Sequence, residues 1–136
     1  MRGLRMAGGL VVGFACAAGI ARLAFGVLES GWPDYAAAVP DRAYTLPMLW
    51  SRLGIAALLT VSAGAAATLV ARDRRAAPIL GVLFVLVSLP SHLHYVWAEY
   101  PVWYHAVYLL SLVPLVSFGG RLVAKPSAIP PSTLAA

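Results

Sequence analysis

This chain predicts an all-α membrane protein, four transmembrane helices in an antiparallel bundle, and three observations lead there. Its 136 residues are 61% hydrophobic and 11% charged, with a mean hydropathy of +0.82, which is too apolar for a soluble domain of this size. Four apolar runs each approach the ~20 residues that a helix needs to cross the hydrocarbon. The polar side chains then sort by side: every Trp, Tyr and His and four of the five acids lie at one set of segment ends, and seven of the ten basic residues lie at the other.

The first run, Met6 to Leu28, follows Arg2 and Arg5. A basic start and an Ala/Gly/Val run resemble a signal peptide, but apolar sequence continues to Leu28, so a retained helix is expected. Gly13, three positions before Cys16, also makes Phe14-Ala15-Cys16 a poor lipoprotein box. Glu29 to Thr45, with Gly31, Pro33, Pro40 and four charges, reads as a long outer loop. The remaining helices are expected at Leu46 to Ala71, Pro78 to Trp97 and Pro101 to Val123, joined by Arg72-Asp73-Arg74-Arg75 and by Ala98 to Tyr100. Residues 1–125 form one transmembrane domain on this reading, and 126–136, with three prolines and no charged side chain, a disordered cytoplasmic tail.

Charge sets the expected orientation. Arg2, Arg5, Arg72, Arg74, Arg75, Arg121 and Lys125 stand on one side against Asp73 alone, which places both termini in the cytoplasm, as in a bacterial inner (plasma) membrane protein. The net charge of +5 is scattered over segment ends, so it signals topology rather than nucleic-acid binding. The lone cysteine, Cys16, excludes disulfide frameworks and thiol redox pairs.

An internal repeat is also legible. Leu46-Pro47-Met48-Leu49-Trp50 and Leu69-Val70-Ala71-Arg72 bracket the second helix; Tyr100-Pro101-Val102-Trp103-Tyr104 and Leu122-Val123-Ala124-Lys125 bracket the fourth. This pattern suggests two helical hairpins repeated in parallel about an axis along the membrane normal. Gly9 with Gly13, Gly54 with Ala57, Gly64 with Thr68, and Gly119-Gly120 read as close-packing devices.

The candidate ligand-binding residues are Arg22, Glu29, Arg52, His92, Glu99 and His105. Ser88, His92, Tyr95 and Glu99 share one face if the third helix runs through them, and Pro90 frees the Leu86 carbonyl within that stretch. Arg22 and Glu29 share a face of the first helix, and an arginine that deep is expected to face the bundle with Glu29 or Glu99 as partner. Arg52 aligns with Ala56, Leu59, Ala63 and Ala66, a face suited to helix contact. His105 lies on the face of Leu109 and Leu112.

Four helices thus place ionisable groups at one depth, which predicts a polar vestibule open to the outside. His92 and His105 with Glu99 form a nitrogen and oxygen set compatible with zinc, although the spacing is a weak metal signal; haem ligands usually stack deeper. No cofactor follows from the residues. Trp32, Tyr35, Tyr44, Trp50, Trp97, Tyr100 and Trp103 fit an interfacial belt.

Tyr100-Pro101-Val102-Trp103-Tyr104, then Pro114, then Gly119-Gly120-Arg121-Leu122, resembles the last helix of a class of small bacterial four-span integral membrane proteins, which reads PxW[FY], P, GGxL. The resemblance covers mainly the last quarter of the chain. It implies the fold and carries no activity. Small multidrug transporters and small fluoride channels fit worse: the first need a carboxylate in the middle of helix 1, and the second a Phe/Thr/Ser-rich third helix.

The residues favour a non-enzymatic protein whose vestibule binds a small ligand, a lipid headgroup or a partner protein. One alternative is an oligomeric transporter or channel, since four short helices enclose little alone. Another is an enzyme acting on lipid or quinone, with His92 or His105 as general base beside Glu99.

Overall fold

The computed structural model describes residues 1–124, and the tail expected at 126–136 lies outside them. The elements are α1 (Arg2–Gly31), α2 (Pro33–Ala38), α3 (Leu46–Ala71), α4 (Ala76–His94) and α5 (Val102–Val123), with no strand among the described residues. Helices α1, α3, α4 and α5 are long and apolar enough to cross a membrane. They pack against one another as a four-helix membrane bundle.

Local chemistry sets the boundaries. Helix α1 runs beyond both ends of its apolar run until Trp32, at φ −135° and ψ 92°, takes the extended conformation forced on a residue before proline. Pro33 then opens α2 at a position where its missing N–H costs nothing. Helix α3 ends at Arg72, a left-handed cap (φ 53°) whose N–H bonds the Thr68 carbonyl at 2.9 Å. Helix α4 stops at His94, short of the expected Trp97: the N–H groups of both Tyr95 and Val96 converge on the Ser91 carbonyl. Tyr95 and Glu99 therefore fall beyond the helix, and the stripe expected from Ser88 to Glu99 is cut after His92.

Without a hydrophobic drive between helices in lipid, association depends on close packing and hydrogen bonds. The core is accordingly built from small residues: Ala17, Ala63, Ala67, Ala71, Ala76 and Ala77, filled out by Leu80, Phe84, Leu112 and Val116. Gly9 and Gly13 bring α1 onto the Ala63, Ala67 and Ala71 side of α3. Gly54 has open space around it, so it takes no part in the packing.

The α3–α5 crossing is reciprocal. A Cβ placed on Gly64 would strike the carbonyl of Val116, and one placed on Gly119 would strike the carbonyl of Val61. Both glycines end a Val-Ser-x-Gly segment, 61–64 and 116–119. Near the other end of the same two helices, Trp50 and Trp103 lie ring to ring at 5.4 Å. The two parallel helices thus meet through like residues at both levels, Trp50 with Trp103 and the two glycine segments with each other.

The two ends of the bundle differ chemically. At the basic end the 72–75 turn approaches the N-terminus through Arg2 and Asp73, 4.0 Å apart. At the aromatic end α2, residues 39–45 and residues 95–101 come together, and Arg42 pairs with Glu99 across the two connections.

Candidate functional site

Between the helices, on the aromatic half of the bundle, lies a cavity of about 460 Å³, within the ~300–1,000 Å³ range of small-molecule sites. Helix α1 contributes Phe14, Ala17, Ala18, Ala21 and Phe25; α3 contributes Arg52, Ala56, Leu59 and Thr60. The other wall is Phe84, Val87, Ser88, Ser91 and His92 of α4, with Tyr104, Tyr108 and Leu112 of α5, and Val96 and Tyr100 complete it from the connection. Phe14 and Phe84 meet edge to face at 4.7 Å at its deep end. Thr60, eight residues along α3 from Arg52 and so about 12 Å deeper, is buried, and its hydroxyl is spent on the Ala56 and Ala57 carbonyls. The cavity is therefore apolar at depth and polar near the aromatic end.

Arg52 is the polar end's main charge. Its Nη1 donates to the Tyr35 hydroxyl at 2.6 Å, and its guanidinium carbon sits over the rings of Tyr44 (4.6 Å), Phe25 (5.0 Å) and Tyr100 (5.8 Å). Ring faces attract a cation through their quadrupole, more strongly where water is excluded. Its Nε is buried without a hydrogen-bond partner. Among the described residues the ion pairs join Arg2 to Asp73 and Arg42 to Glu99, and no carboxylate reaches Arg52. A cation inside a bundle usually pairs with an acid; this one rests on tyrosines.

Tyr35, Tyr44 and Tyr100 stack in sequence, at 5.3 Å and then 5.9 Å, forming a roof over Arg52. Tyr35 is wholly buried although it belongs to a six-residue helix in a loop. Burial raises the phenol pKa of Tyr35 above its ordinary value against the opposing pull of Arg52, and Tyr100 behaves alike. The Arg42–Glu99 pair holds the loop carrying Tyr44 to the loop carrying Tyr100.

His92 and His105 meet across α4 and α5, Nδ1 to Nδ1 at 2.8 Å. One nitrogen must donate and the other accept. His105 is buried and its Nε2 has no partner. Were that nitrogen protonated, an N–H donor would be stranded, which is rarer and costlier than an idle acceptor. The favoured assignment puts the proton on Nδ1 of His105, donated to Nδ1 of His92, so that His92 carries its own proton on Nε2. Stacking of His92 on Tyr108 (4.5 Å) and of His105 on Trp97 (4.8 Å) fixes both rings. His92 lines the cavity, and on this assignment its own N–H is the one at Nε2.

Of the six candidate residues, Arg52, His92 and His105 come together here. Glu99 is engaged by Arg42 instead. Arg22 and Glu29 lie on an exposed face of α1, Arg22 points away from the bundle rather than into it, and the two form no ion pair. No three His, Cys, Asp or Glu side chains stand close enough to share a metal among the described residues; the His92, His105 and Glu99 set is not assembled. Sequence reasoning misses the tyrosine cage, because an interfacial belt explains most of the outer aromatics, Tyr35, Tyr44 and Tyr100 among them. The available signal was an arginine within an apolar helix and a surplus of tyrosine at the same end.

Compared with protein-family models, with curated proteins and with solved structures, the chain matches none. Function must be read from the site.

Proposed function

We propose that this protein is a binding protein of the membrane, and that its cavity takes a small ligand with an anionic, hydrogen-bond-accepting head. The observation that carries the reading is Arg52: a guanidinium inside the bundle, held by aromatic rings and the phenols of Tyr35 and Tyr104, with no carboxylate among the described residues to balance it. An anion lodged in the cavity beside it would supply the missing charge, and the Nε2–H of His92 offers a second contact. With ¹⁵Nε-arginine-labelled protein in neutral detergent, butyrate should shift the Arg52 Nε–H resonance saturably. A resonance that butyrate leaves unmoved would overturn the reading.

The proposal includes an orientation. The aromatic end faces away from the cytoplasm and both termini lie inside a bacterial inner membrane, a reading supported by the basic residues gathered at the opposite end. A reporter fused after Ala136 should be active only as a cytoplasmic reporter; a periplasmic signal would reverse the assignment.

A further inference from the structure

The cavity's two boundaries are unlike. Toward the aromatic end it is bounded by Arg52 and Tyr100, with Tyr44 and then Tyr35 stacked on from Tyr100 and the Arg42–Glu99 pair joining the loops. Toward the side it is open: the exposed wall residues are Ala18 on α1 and Val87 and Ser91 on α4, whereas the α3 and α5 walls are buried or half-buried. Helix α1 packs chiefly on α3 and only lightly on α4. Below the opening Phe14 and Phe84 close the seam.

We infer that the ligand is a single-chain anionic amphiphile dissolved in the bilayer, which enters sideways between α1 and α4. Its head reaches Arg52 and its chain lies along Ala18, Ala21 and Val87. This rests on the anion site proposed above and adds the ligand's class and route. A chain leaving through an opening between transmembrane helices stays in hydrocarbon. A charged head at that depth needs a countercharge, and the cavity holds one. A neutral quinone would leave Arg52 unbalanced, and the glycerol and second chain of a two-chain lipid would have to share the one opening between α1 and α4 with the first. Carboxylate and phosphate heads share the required chemistry.

Two photoreactive carboxylates test this on the full chain in phosphatidylcholine vesicles: palmitate with a mid-chain diazirine, and butanoate with a terminal one. The inference expects palmitate labelling on the facing sides of α1 (17–25) and α4 (84–92), lost with excess unlabelled palmitate and lost in Arg52→Gln. Ala21→Phe, which narrows the chain path without touching Arg52, should cut palmitate labelling and spare butanoate labelling, and it keeps the test decisive if Arg52→Gln does not fold. Hexadecyl phosphate competing better than palmitate would assign a phosphate head within the same class. Palmitate labelling spread over outward residues such as Val11 and Leu86, without competition, while butanoate still labels the site, would overturn the inference and leave the anion site standing. Labelling by neither probe in an Arg52-dependent way would overturn both.

Discussion

Arg52 donates a 2.6 Å hydrogen bond to the hydroxyl of Tyr35, joining the first turns of α3 to the short helix α2. This bond orients the guanidinium and adds to the ring stacking that holds α2 in place. Hydrogen bonds to charged groups contribute about 1.5–3 kcal/mol. Tyr35→Phe keeps the ring and its stacking on Tyr44, so it should cost an amount in that range, read from unfolding in a mixed-micelle titration. A change within error would show that the cage is not built on this bond.

The same two loops carry a pH prediction. Burial raises the phenol pKa of Tyr35 and Tyr100 in the folded state, while unfolded tyrosines ionise near pH ~10. Unfolded chains therefore release these protons first as pH rises. The stabilisation is complete below about pH 10 and is lost as pH climbs through the folded values. Stability measured between about pH 8 and about pH 11 should fall, and Tyr35→Phe should make the fall shallower. An equal slope in the variant would remove Tyr35 from the account.

The α3–α5 crossing makes a sharper structural prediction. At Gly64 an added methyl meets the Val116 backbone, which cannot rotate aside, so Gly64→Ala should cost at least the ~1–3 kcal/mol typical of overpacking. Gly119→Ala should match it through the reciprocal contact with Val61. Gly54→Ala, in open space, should instead be neutral or stabilising by up to about 1 kcal/mol. If all three behave alike, the close crossing is wrong.

The histidine pair is open to ¹⁵N spectroscopy. The stranded Nε2 of His105 predicts the Nδ1–H tautomer there and the Nε2–H tautomer at His92. The reverse assignment would withdraw His92 as a donor to the cavity.

The fold was largely legible because lipid imposes a simple rule: a span needs about 20 apolar residues, and charge marks its ends. The runs beginning at Leu46 and Pro101 show this. The first boundary of α4 was close, but its end was not, since two amide groups closing on the Ser91 carbonyl leave no hydropathy signal between His94 and Trp97. The site was half legible. Arg52, His92 and His105 stood out as polar groups in apolar helices, and they do converge. Arg22 and Glu99 looked equivalent to them in sequence. Their separation depends on the rotation of α1 and on a loop-to-loop pair with Arg42, neither of which has a periodic signature. Tyr35 was invisible for a similar reason: a tyrosine in a loop is ordinarily interfacial, and only the return of α2 over Arg52 buries it.

The central claim is that Arg52 receives an anion, and native mass spectrometry of the gently extracted protein tests it most directly. Wild type should retain an adduct with the mass of a single-chain anionic lipid, and Arg52→Gln, folded by circular dichroism, should be bare. A bare wild type, or the same adduct on both proteins, would contradict the account.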